Sequence, residues 1–299
     1  MTLSVLWRSE GRLHLASDSR ISFGKAGFAD VGIKVMRLPI RVMGTGVDER
    51  GDLATLFEQT YGFCYAGNMS NAATFKQLVE DLLVDVQYLP ANDPLTFNDL
   101  CQFFCRFCGL VSSEIMSRLA EKGGYTFFVA GLCPQSGKLH GARFSLTQNS
   151  GRTVVTFDEV AQAEGAYVAL GSGAKRFDAL FDGQIAKTLS ILSTLNAVID
   201  DATVDSVGGD IQYGSFDDRG MFQVSGVVRI STEQAFEDGR KYGPTVQRSW
   251  RYRGFDIYDG WRISGEKFWP SPGFVELKVP SNGDSNWKFI ESCRKALGS

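Results

Sequence analysis

Histidine is nearly absent: His14 and His140 are the only two in 299 residues. A hydrolase built on this chain must therefore activate its nucleophile without an imidazole, and histidine-based metal sites have little to draw on. No stretch approaches the ~20 consecutive apolar residues that a helix needs to span a bilayer. The segment from Met1 to Ala16 lacks a basic start and a continuous apolar run, so no signal peptide is expected. Cationic excess is missing as well. Lys and Arg number 31 against 34 Asp and Glu, for a net charge of −3, which disfavours nucleic acid as a main partner. Six cysteines follow no regular spacing and fit reduced thiols in a cytoplasm better than a disulfide scaffold. What the chain does have is 43% hydrophobic residues, enough to bury a full core in one or two domains.

The first informative stretch is TLSVLWRSEGRLHLASDSR, residues 2–20. Leu3, Val5 and Trp7 alternate with Ser4, Leu6 and Arg8, and Leu13 and Leu15 alternate with Arg12, His14 and Ala16. That is a hairpin turning at Ser9–Arg12, which pins the start of the chain in a sheet. Further strands are expected at Phe28–Leu38, Arg41–Met43, Gly62–Ala66, Tyr125–Cys133, Gly137–Leu146, Arg152–Glu159, Tyr167–Leu170, Ile211–Tyr213 and Met221–Ile230. Helical spacing predicts helices over Ser70–Gln87, with Phe75, Leu78, Val79, Leu82, Leu83 and Val86 inward, and over Thr96–Lys122. The second carries Leu100, Phe103, Phe104, Phe107, Leu110, Val111, Ile115 and Leu119 inward; a third helix is expected at about Ile185–Ala202. Hairpin-linked strands with helices in blocks predict an α+β fold, two antiparallel sheets covered by helix layers. From Ser231 the composition turns aromatic and basic. Residues 231–299, with a last helix near Ser285–Leu297, read as an extension of a core domain over residues 1–230.

Thr2, Asp18, Arg20 and Lys34 form the candidate chemistry. A threonine hydroxyl is a weak nucleophile and needs an adjacent base. Removal of Met1, which a small second residue permits, would give Thr2 an α-amine with a pKa of about 7.7–8.0, suited to that task. A lysine beside the hydroxyl, steadied by a carboxylate, would supply a proton path and stabilise developing negative charge. Taken singly, the residues also have plain readings: Asp18 and Arg20 as a strand-end ion pair, Lys34 as a solvated strand residue, Ser172 as part of a turn.

Here the sequence resembles a family. TLSV, LASDSRIS and GIKVMRL resemble the proteasome β-subunit pattern: an N-terminal threonine, a strand ending Asp-Ser-Arg and a later lysine. Sixteen residues separate Thr2 from Asp18 and sixteen separate Asp18 from Lys34, the family's own spacings. CYAGNMSNAATF is similar to the turn whose glycine N–H forms the family's oxyanion hole, which falls on Gly67. ALGSGAKRF is similar to the stretch that sets a serine near the threonine amine, here Ser172. TVDSVGGDI is similar to an Asp-x-x-Ser-Gly-Gly stretch, giving Asp205 and Ser206, although here the two are adjacent and Val207 precedes the glycines. The turns lean towards Anbu and the bacterial proteasome homologue. The resemblance implies a four-layer αββα sandwich of the N-terminal-nucleophile hydrolase type. It also implies catalysis by Thr2, Asp18, Lys34, Gly67, Ser172, Asp205 and Ser206, with Arg20 as structural support. It further implies no cofactor or metal, peptide or unfolded-protein substrates, and a homo-oligomeric ring in the cytoplasm; whether an ATPase or other regulator joins it is open. No propeptide is expected ahead of Thr2. The alternatives are a silent ring-forming scaffold that retains Met1, and a small-amide hydrolase of the same fold.

Two other stretches compete. CQFFCRFC (Cys101–Cys108) matches a three-cysteine iron–sulfur motif, but its i, i+4, i+7 spacing inside an amphipathic helix favours core packing. QRSWRYRGFDIYDGWR interleaves cations with aromatics as single-strand binders do, and reads first as an oligomer contact or exposed tail.

Overall fold

In the computed structural model the alternating start of the chain forms β1 (Leu3–Ser9) and β2 (Arg12–Asp18), antiparallel with Ser9 opposite Arg12. Glu10 and Gly11 turn between them at φ 54° and 72°, the positive values that a two-residue hairpin needs to match strand twist. The structure describes residues 2–84, 86–89, 93–149, 152–237, 240–253, 255–256 and 273–278. Both faces of β1 are buried, Ser4 and Leu6 as completely as Leu3 and Val5. The period-two pattern therefore separates two cores rather than core from water.

After a small hairpin of β3 (Ile21–Ser22) and β4 (Phe28–Ala29), the chain builds its first large sheet. This contains β5 (Val35–Val47), β6 (Leu53–Gly67), β7 (Val86–Gln87), β8 (Tyr125–Leu132), β9 (Leu139–Asn149) and β10 (Arg152–Val160), in the order β10-β9-β8-β6-β5-β7. Helices α1 (Met69–Leu83) and α2 (Phe97–Leu119) pack on it through Phe75, Val79, Phe104 and Cys108 against Phe63, Phe127 and Phe144. The second sheet adds β11 (Tyr167–Gly171), β12 (Ile211–Phe216), β13 (Phe222–Glu237), β14 (Arg240–Tyr252) and β15 (Phe255–Asp256) to the first hairpin. Its order is β11-β1-β2-β12-β13-β14-β15, with β16 (Phe274–Lys278) parallel to β13. Helices α3 (Ala174–Phe181) and α4 (Thr188–Ile199) cover it through Phe177, Ile191 and Leu195 against Leu3, Val5 and Trp7. A third cluster joins the sheets: Leu6, Leu13 and Leu15 of the hairpin meet Val35, Cys64, Phe128 and Phe222.

Several expectations need correction. The strands expected at 28–38 and 41–43 are mainly one strand, β5, which runs through Pro39 opposite Thr60. α1 stops at Leu83, and Val86–Gln87 pairs with β5 instead of prolonging the helix. Leu78, Leu82, Leu110 and Leu119 are exposed: each helix buries only the narrow stripe that meets the sheet. The helix expected near 185–202 is α4, a few residues shorter at each end, and α3 is a further helix that went unread behind Gly171-Ser172-Gly173, whose glycines read as a turn. The boundary expected at residue 230 falls inside β13. The last helix expected at 285–297 lies outside the described residues. In α2 the spacing argument for the cysteines holds for two of the three, Cys105 being only half-buried. Cys101 and Cys108 are buried, Cys108 Sγ lies 3.2 Å from the Tyr125 hydroxyl, and burial pushes the Cys105 and Cys108 thiols up to about 11.

Candidate active site

β2 ends on Asp18, a fully buried residue held opposite Ile211 of β12. Its Oδ1 accepts from the Lys34 ammonium at 2.8 Å and from the Leu3 amide at 2.9 Å. Its Oδ2 accepts from the amides of Gly208 at 3.1 Å and Arg20 at 3.2 Å. Four donors satisfy the carboxylate without water. Because Lys34 Nζ and Leu3 N share one oxygen, the ammonium lies no farther from the residue after Thr2 than two hydrogen bonds laid end to end.

Lys34 precedes β5 and is 2% exposed, so it is not the solvated strand residue of the plain reading. Burial lowers its pKa, and the Asp18 charge opposes that shift without cancelling it. The backbone here is fixed by Gln212 of β12, a residue that carried no sequence signal. Its buried Oε1 accepts from the amides of Lys34 (2.8 Å) and Val35 (3.1 Å), while its side-chain nitrogen donates to the Gly32 carbonyl. Arg20 holds the other side of the loop. Its guanidinium forks onto Asp30 at 2.7 and 3.0 Å and donates through Nη1 to the Asp205 carbonyl at 2.9 Å. A Cβ on Gly208 would overlap that guanidinium and push Arg20 off its place against Asp30.

A cavity of about 540 Å³ opens beside this pair, and Thr2, Lys34, Gly67 and Ser172 all line it. Thr2 is 2% exposed. Gly171, at φ 96°, passes so close that a Cβ there would overlap the Thr2 carbonyl. Gly67 ends β6 at φ 122°, and a Cβ would come within 2.7 Å of the Gly124 carbonyl. Asn68 follows as the N-cap of α1, its Oδ1 accepting from Asn71 N at 2.8 Å. The same turn is tied to the end of the 3₁₀ helix Ala120–Gly123 through three consecutive carbonyls. The Lys122 carbonyl accepts from Asn68 Nδ2, that of Gly123 from Asn71 Nδ2 and that of Gly124 from Asn68 N, at 2.9, 2.9 and 3.0 Å. Ser112 of α2 completes the set by donating to Asn71 Oδ1 at 3.0 Å.

The Ser172 and Ser206 hydroxyls lie 2.8 Å apart, so these two predicted site residues meet. Asp205 is exposed and reaches Arg20 through its carbonyl; it does not line the cavity. Ser4 and Ser17, unremarked in the sequence, carry a buried chain: their hydroxyls are 3.0 Å apart, Ser17 donates to the Leu3 carbonyl and Ser4 to that of Tyr65. Their only signal was a hydroxyl at a strand position that proved to face the other sheet. A second hollow of about 600 Å³, beside Arg12 and His140, contains none of the predicted site residues. The Thr2 cavity thus combines a hydroxyl residue, a buried amine whose proton is weakened, and a glycine at a helix start.

No protein-family model matches the sequence, and no curated protein is detectably similar to it. Among solved structures it is similar to a Gly-1 mutant of Anbu from Hyphomicrobium sp. strain MC1, with TM-score 0.51 and 15% identity over 91% of this chain and 99% of that one. It is also similar to the helical assembly of the Anbu complex from Pseudomonas aeruginosa, with TM-score 0.50 and 17% identity over 90% of this chain and 98% of that one. At these identities the likeness is one of fold: the chain has an Anbu-type, proteasome-like fold.

Proposed function

We propose that the chain is a threonine-type N-terminal-nucleophile hydrolase with a four-layer αββα sandwich, and that it cleaves peptide bonds once Met1 has been removed. The observation that carries this reading is the buried Asp18–Lys34 pair, which shares a carboxylate oxygen with the amide next to Thr2, on a cavity that Gly67 also lines. Thr2 Oγ attacks the substrate carbonyl while its proton passes to the Thr2 α-amine, with Lys34 assisting and Asp18 orienting Lys34. The Gly67 N–H stabilises the oxyanion, a contribution of about 3 kcal/mol for a single donor. The amine returns the proton to the leaving nitrogen, and water then attacks the ester left on Thr2, restoring the hydroxyl. Ser172 and Ser206 hold the amine; Asp205 belongs to the same stretch and acts at its outer edge, with Arg20 bracing the loop before Lys34. Threonine's branched side chain restricts χ1 and aims the hydroxyl.

Substrates on this reading are peptides or unfolded protein in the cytoplasm, and no cofactor takes part. Among the described residues no helix is long and apolar enough to cross a membrane. Copies of the chain would enclose the sites in a ring or an open helix; a similar structure, that from Pseudomonas aeruginosa, is a helical assembly. The test is intact mass combined with a peptide digest. We expect a mass lacking Met1, and cleavage of unstructured peptides by that species. Processed protein that cleaves only short amides would indicate the small-amide hydrolase. Retained Met1 with no cleavage would indicate the scaffold.

A further inference from the structure

Charge around the Thr2 cavity is one-sided. Its lining includes Arg20, Lys34 and Lys122 and no Asp or Glu. Arg20 is matched by Asp30, and Lys34 by Asp18 beneath the floor. Lys122 is exposed and has no ion-pair partner among the described residues, so one net positive charge stands at the rim. Its backbone is anchored firmly. Lys122, Gly123 and Gly124 each give a carbonyl to the turn that starts α1, the turn beginning at Gly67. The loop carrying Lys122 and the glycine assigned to the oxyanion therefore move as one body, and the charge keeps its register relative to the bond being cut. The uncharged lining mixes polar Ser22, Asn68 and Ser70 with apolar or aromatic Ile21, Phe23, Tyr65 and Met69. The apolar and aromatic side chains lower the local dielectric and strengthen a charge pair at their edge.

We propose that Lys122 makes this site select a substrate carboxylate close to the scissile bond; the proposal rests on the hydrolase reading above. The carboxylate could be an Asp or Glu side chain or a free C-terminus, and both offer the same anionic oxygens to an ammonium. A lysine on the substrate at that position meets a like charge and is disfavoured.

The test uses the full chain after Met1 removal, with amide-capped peptides that differ only in Glu, Gln or Lys beside one cleavable bond. A second pair, capped and uncapped one residue past that bond, separates a side chain from a C-terminal carboxylate. The expected order in kcat/KM is Glu over Gln over Lys, with Glu favoured over Gln by about tenfold at low salt and less at 1 M salt. Lys122→Glu should reverse the order in favour of Lys, and Lys122→Gln should flatten it, which gives a second variant should the first fail to fold. Should preference for the uncapped peptide alone respond to Lys122, the C-terminal carboxylate is the ligand. An order unmoved by both variants and by salt, in protein that still cleaves, overturns the selectivity proposal while leaving the hydrolase standing. Absence of cleavage together with absence of a Thr2 adduct from a neutral β-lactone overturns both.

Discussion

Thr2→Ala is expected to lower peptide hydrolysis by on the order of 10⁴-fold or more while leaving thermal and chemical unfolding close to those of the parent. Alanine, like threonine, is a small second residue and permits loss of Met1, so the variant retains the α-amine and removes only the nucleophilic oxygen with its methyl. The backbone around it has little reason to move. The Leu3 amide still binds Asp18, and the Leu3 carbonyl still accepts from Ser17. The Gly67 turn, built from Asn68 and Asn71, does not involve the Thr2 side chain in any of its bonds to residues 122–124. A residual rate far above that level would mean that another group attacks, and a fall in stability of several kcal/mol would give Thr2 a structural rather than chemical role.

Asp18→Ala should cost both stability and rate. The substitution leaves the Lys34 ammonium buried without its counter-charge, at 2% exposure, and strips the Leu3, Arg20 and Gly208 amides of their acceptor. Breaking a buried pair in this way costs about 3–5 kcal/mol, read as a lower midpoint in urea at unchanged slope. The loss has a pH signature. Burial lowers the folded Lys34 pKa below 10.5, so the unfolded chain holds that proton over a range in which the folded chain has released it. Stability from this group therefore rises with pH through that range, and removing Asp18 lowers the folded pKa further and widens it. The deficit of Asp18→Ala should be greatest at low pH and shrink as pH rises. In Asp18→Asn/Lys34→Met, with no buried charge left, the variant's own stability should show no rise with pH from this site. A deficit of Asp18→Ala that grows with pH through that range contradicts the charge argument.

Thr2, Asp18 and Lys34 were picked out by the resemblance, whose spacings they match. Thr2 and Asp18 flank the paired strands β1 and β2, whereas Lys34 precedes β5 of the other sheet, so spacing along one sheet could not place it. Gly67 too came from the resemblance, through the stretch CYAGNMSNAATF, and in the structure it closes a strand just before the asparagine that caps α1. Gln212 was not legible. Its importance comes from meeting Lys34 across 178 residues of chain, and a strand glutamine has no local pattern that announces a buried amide clamp. Asn71 and Ser112 were invisible in the same way: polar residues within helical patterns look solvent-facing until the neighbouring helix is in place. Helix stripes were overread at Leu110 and Leu119, where the sequence repeats an apolar spacing on faces of α2 that stay exposed. The break at residue 230 followed a change in composition, whereas hydrogen-bonded pairing carries β13 past it to meet β14.

The most direct measurement is to treat the Met1-free protein with a neutral β-lactone and locate the adduct by fragmenting the N-terminal peptide. Our account predicts one acyl group on the Thr2 hydroxyl, absent from Thr2→Ala and strongly reduced in Lys34→Met. An adduct on Lys34, on a cysteine of α2 or on no residue at all would contradict it.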